Sequence, residues 1–145
     1  MVYSGIFWIN GTPYFVLSDD SMISMYYART FDLSCEGYSN LLWTAIMIPC
    51  NLLPKNLASL PITLICGACV CGIMKYSRNP LLFGLTYSVL YWAVRGVEFI
   101  PIAFLFFYGL KTKKIIIPVI LIMLLRADGF VFAGILLITN YIERK

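Results

Sequence analysis

Two adjacent carboxylates, Asp19 and Asp20, carry the strongest chemical signal in the chain. They sit in Tyr14-Phe-Val-Leu-Ser-Asp-Asp-Ser-Met-Ile-Ser-Met-Tyr-Tyr-Ala-Arg29, between an apolar segment and a short aromatic-rich stretch that reads as a helix. Only seven of the 145 residues are acidic. Like charges placed side by side repel, and near lipid they also lose hydration. Such a pair suits work on a metal, a hydroxyl or a phosphate-bearing substrate. The alternative is that Asp20 caps a helix starting at Ser21.

Further candidates lie far apart in sequence. Glu36 and Tyr38 belong to Glu36-Gly-Tyr-Ser-Asn-Leu-Leu-Trp43, just after Arg29. Arg29 could pair with Glu36 or touch a phosphate. Glu98 could line the same site or pair with Arg95. Arg126 could hold a phosphate, because a guanidinium makes two charge-assisted bonds to phosphate oxygens and stays charged. It could equally pair with Asp128.

The elements that must position these residues are apolar. Hydrophobic residues make up 61% of the chain and charged residues 12%, with mean hydropathy +0.84. A soluble domain has about 45–50% and about 25%, so the composition reads as an integral membrane protein. The chain has no histidine, which excludes Ser-His-Asp and Cys-His catalysis and His-ligated metals. The net charge of +4 comes with no basic run suited to nucleic acid. Cys66-Gly-Ala-Cys-Val-Cys71 lies inside an apolar run with no second cysteine pair. It reads as small residues packing between helices rather than a zinc or disulfide site.

Apolar segments run over 41–53, 57–74, 80–94, 99–110, 115–125 and 129–142. Several are short against the 17–25 or so residues of a usual span. If 41–53 only dips into the outer interface, Lys75, Arg78, Lys111, Lys113, Lys114, Arg144 and Lys145 are cytoplasmic. Arg29, Lys55, Arg95 and Arg126 then lie outside, as the positive-inside rule prefers. This puts the Asp19/Asp20 loop and Glu36 on the extracytoplasmic side. Residues 115–142 read either as one long helix with Arg126 and Asp128 at mid-membrane or as two short helices meeting at Arg126-Ala-Asp-Gly129, and Gly129 and the local charges favour the break. Residues 1–17, interrupted by Asn10-Gly-Thr-Pro13, are too broken to span.

The expected architecture is therefore all-α: a polytopic membrane helix bundle of about five spanning helices. Residues 1–145 form one membrane domain. An extracytoplasmic loop with juxtamembrane helices covers 1–56, and transmembrane helices cover 57–142.

Four stretches together resemble a known family. Asp19-Asp-Ser-Met-Ile-Ser-Met-Tyr-Tyr-Ala-Arg29 resembles the "DDAYISFRYAR" segment of GT-C membrane glycosyltransferases of the arabinofuranosyl- and mannosyltransferase-like kind. Glu36-Gly-Tyr-Ser-Asn-Leu-Leu-Trp-Thr44 is similar to "EGYTNPLWT". Tyr91-Trp-Ala-Val-Arg-Gly-Val-Glu98 resembles "WALSGMET", with Arg95 in place of the serine. Leu124-Leu-Arg-Ala-Asp-Gly129 resembles "LTRPDG". The motifs keep the family's order, but only Thr30 to Cys35 separate the first two, fewer residues than in the family. The family's first membrane helix is missing here or reduced to 1–17.

The resemblance implies the N-terminal portion of an inverting, multi-pass enzyme of the cytoplasmic (inner) membrane. Such an enzyme moves a sugar from a polyprenyl-phosphate donor to a lipid-linked, glycan or protein acceptor in the cell envelope. It implies catalytic roles for Asp19 and Asp20, with a divalent metal ion (Mg or Mn) as an optional ligand of that pair. It implies substrate contacts from Arg29, Glu36, Tyr38, Glu98 and Arg126. As a truncated form, the isolated chain is expected to be inactive. A competing expectation is a small non-enzymatic multi-pass protein that binds a lipid or a partner subunit. Membrane lipids are partners under either reading, and nucleic acid under neither.

Overall fold

The computed structural model describes residues 6–9, 12–15, 19–30, 40–54, 57–84, 87–94 and 96–143. It begins with an antiparallel hairpin, β1 (Ile6–Ile9) on β2 (Thr12–Phe15), in the register Ile6 to Phe15 and Ile9 to Thr12. The interrupted apolar stretch at 1–17 thus contains a strand pair, an element the sequence reading did not anticipate.

Among the described residues, all else with regular structure is helical: α1 (Asp19–Thr30), α2 (Leu41–Met47), a 3-10 turn (Pro49–Leu52), α3 (Leu60–Tyr76), α4 (Pro80–Gly84), α5 (Tyr87–Val94), α6 (Phe99–Thr112), α7 (Ile116–Leu125) and α8 (Gly129–Glu143). The helical expectation holds for the body of the chain. The expected helix lengths do not. Among the described residues, no helix is long and apolar enough to cross a membrane. The longest, α3, has 17 residues, or about 25 Å at about 1.5 Å per residue, against a hydrocarbon core of about 30 Å. Local chemistry sets the stops. Lys113 takes a left-handed C-cap at φ 59° and ends α6, and Pro80 follows the end of α3. Gly96, at φ 67°, separates α5 from α6. The apolar segment 80–94 is two short helices, not one.

The core runs through the helices of both halves. Met25 and Ala28 of α1, Trp43 and Met47 of α2, Ile62, Cys66 and Val70 of α3, and Ile100, Ile102, Ile122 and Leu125 of α6 and α7 form one buried cluster. Helices α3 and α6 lie side by side and parallel. The Cys66 thiol approaches the Val97 carbonyl at 3.8 Å, and Tyr76 meets Tyr108 edge-on with ring centroids 6.5 Å apart. Helices α4 and α5 make the return between them. Helix α7 runs back along α6, and α8 runs forward again. The α7–α8 crossing is tight, since a Cβ on Gly129 would fall 2.4 Å from the Ile122 carbonyl oxygen.

This threading sorts charge. One end of the α3–α6–α7–α8 body carries Glu98, Arg126 and Asp128; the other carries Lys75, Arg78, Lys111, Lys113, Lys114 and Glu143. We call these the acidic and the basic end. Between them the surface is strongly apolar: Ile120, Met123, Ile135, Leu137 and Ile138 are each more than 45% exposed.

Candidate functional site

At the acidic end, three charged groups from the last two sequence motifs meet. Glu98 is the N-cap residue of α6, and its side chain is only 2% exposed. Arg126 follows α7 in extended backbone. Its Nη1 donates to Glu98 Oε1 at 2.9 Å, and its Nε donates to Asp128 Oδ1 at 2.6 Å. The guanidinium carbon also stacks over the Phe99 ring, 4.3 Å from its centroid, an attraction between the cation and the ring face.

Burying one carboxylate costs several kcal/mol unless a partner compensates it, and Arg126 is that partner. The bridge ties the start of α6 to the turn between α7 and α8. Two carboxylates against one guanidinium leave the cluster with one net negative charge. Glu98 Oε2 is buried without a hydrogen-bond partner, so the cluster keeps one unused acceptor. Asp128 is the looser arm, with its side chain 54% exposed.

Of the residues read as site candidates, Glu98 and Arg126 are therefore in direct contact, although 28 residues apart. The expected pair between Arg126 and Asp128 is also present. Arg95, the local partner considered for Glu98, lies outside the described residues. So do Glu36 and Tyr38. Arg29 donates to Asn51 Oδ1 at 2.9 Å, which ties α1 to the 3-10 turn. Phe99 and Asn51 were missed in the sequence. Phe99 had a signal, as an aromatic residue directly after an acidic one at a helix start; Asn51 had none.

Asp19 and Asp20 form the start of α1, two residues earlier than the start at Ser21 considered from the sequence. Helix α1 packs on α2, and α2 packs on α7, the helix that Arg126 follows.

A metal does not fit the acidic-end cluster, because the guanidinium already sits between its two carboxylates. Among the described residues, no three His, Cys, Asp or Glu side chains converge closely enough to hold a metal. The cysteines at 50, 66, 69 and 71 are free thiols. Cys66 is fully buried in the α3–α6 contact, as the small-residue reading expects, while Cys71 is exposed. Burial pushes the Cys50 thiol above its ordinary pKa, which makes it a poor nucleophile.

Compared with protein-family models, with characterised proteins and with solved structures, the chain matches none.

Proposed function

We propose that the chain is a membrane-embedded module of a GT-C-type glycosyltransferase, and that its acidic end faces the donor phosphate of a polyprenyl-phosphate sugar outside the cytoplasmic membrane. The observation that carries this reading is the contact between Glu98 and Arg126, which unites two of the four resembling motifs at 2.9 Å. In this reading Arg126 keeps Glu98 and exchanges the exposed Asp128 for phosphate oxygens, since a guanidinium prefers bidentate oxyanion partners. Asp19 or Asp20, at the start of α1, is the base for the acceptor hydroxyl, and the other orients the acceptor. A metal, if one takes part, belongs with these aspartates and not with Arg126.

Membrane residence is supported by the exposed apolar band and by the charge sorting. Large exposed apolar patches mark lipid or protein contacts. Short helices with breaks are tolerated at membrane depth only where protein covers the broken ends. The second reading, a non-enzymatic membrane protein, is favoured by one feature: both hydrogen-bonded faces of Arg126 are already occupied by carboxylates.

Photolabelling with a polyprenyl phosphate carrying a diazirine separates the two. The proposal expects labelling of residues near Asp128 and the start of α1, competed by unlabelled polyprenyl phosphate. Arg126→Lys weakens it, because an ammonium cannot replace the planar fork, while Asp20→Asn leaves it intact. Labelling that is absent, or that ignores Arg126→Lys, overturns the reading in favour of the second.

A further inference from the structure

A second site lies away from the acidic end. Helices α3, α4 and α5 leave an open apolar groove of about 340 Å³ between them. Gly67, Val70 and Met74 of α3 line one wall, and Leu81, Leu90 and Val94 the other. From Thr63 to Met74 it follows α3 for about 16 Å at about 1.5 Å per residue. Gly67 is its open floor, since a Cβ built there meets nothing within 4 Å.

Two cations stand at one end of the groove. Met74 and Leu81 bracket the α3–α4 connection, which carries Lys75 and Arg78, both exposed. Neither has a carboxylate partner among the described residues. A long narrow apolar slot that opens beside two free cations complements an amphiphile with an anionic head. The acidic end is already occupied by its own ion cluster and lies at the far end of α3.

We propose that this groove binds one acyl chain of an anionic phospholipid of the cytoplasmic leaflet, with the headgroup phosphate on Lys75 and Arg78. The site rests on membrane residence, but not on glycosyl transfer. Each cation near a membrane surface contributes about 1 kcal/mol toward anionic lipid, or about fivefold in association. The tail displaces water from apolar walls and fills the empty slot.

The test is lipid selectivity of the full chain in phosphatidylcholine vesicles, read by electron spin resonance. The probes are nitroxide-labelled phosphatidylglycerol and nitroxide-labelled phosphatidylcholine. The wild type is expected to immobilise phosphatidylglycerol about 25-fold more strongly. Lys75→Gln and Arg78→Gln each reduce that preference by about fivefold. Gly67→Leu fills the slot and removes the immobilised component. Gly134→Leu is the matched control on α8, because a Cβ there also meets nothing within 4 Å, and it changes nothing. Equal immobilisation of both lipids, or a phosphatidylglycerol component that survives Gly67→Leu, overturns the proposal. Failure of the chain to enter the vesicles removes membrane residence and this site together. Selective binding without any transfer chemistry supports this site and leaves the photolabelling result to decide the other.

Discussion

The two ends of the helical body hold similar side chains in opposite ways. At the acidic end, Arg126 is locked between Glu98 and Asp128 over the Phe99 ring. At the basic end, Lys111 and Lys114 stand exposed without carboxylate partners among the described residues, and only Lys113 is paired, with Glu143. Burial makes the difference. A charge removed from water must be matched or the fold loses several kcal/mol, whereas an exposed one is screened by solvent and salt. The acidic end is a structural joint that chemistry could borrow. The basic end is a surface that is free to meet a partner.

The largest expected effect breaks the joint. Arg126→Met strands the buried Glu98 carboxylate and should cost about 3–5 kcal/mol, the range for removing one partner of a buried pair. Thermal unfolding in detergent micelles reads it. The double variant Glu98→Leu/Arg126→Met should recover most of the loss, because no buried charge remains. If Arg126→Met costs no more than Lys111→Met, the two ends do not differ in the way described.

A smaller effect sharpens the position of the joint. Gly129→Ala drives a methyl group into the Ile122 carbonyl oxygen at 2.4 Å. Backbone cannot yield as a side-chain tip can, so about 1–3 kcal/mol of overpacking is expected. Gly134→Ala, in open space, should be neutral or slightly stabilising through helix propensity. Equal melting temperatures for the two variants would show that the α7–α8 crossing is looser than it looks.

The smallest effect is at the basic end. Lys113 and Glu143 are each about half exposed, and such pairs are worth about 0–1 kcal/mol. Glu143→Gln should therefore shift the melting temperature slightly, and less in high salt. A shift as large as that of Arg126→Met would mean that this end is also locked.

Much of this was legible in the sequence, for reasons that differ by region. The break at Arg126-Ala-Asp-Gly129 could be read because charges and a glycine interrupt an apolar run, and the structure ends α7 and opens α8 there. The sorting of Lys75, Arg78 and Lys111 to Lys114 from Glu98 and Asp128 also followed, from the positive-inside rule applied to the apolar segments. The Glu98–Arg126 bridge did not, because each residue had a nearer candidate partner in sequence and only the α6–α7 packing selects the distant one. The split between α4 and α5 was hidden by continuous apolar composition. The hairpin at Ile6–Phe15 was hidden because its apolar residues are interrupted and follow no clear alternation.

The 28-residue separation within the ion cluster also has a consequence for how the protein is made. Ribosomes add about 5–20 residues per second, so Glu98 emerges from the ribosome roughly one to six seconds before Arg126. During that interval the Glu98 carboxylate lacks Arg126, the partner it has in the fold. The buried form of the Glu98 carboxylate is matched by Arg126 only once α7 has emerged, which couples final docking of the α6 start to synthesis of the helix that follows.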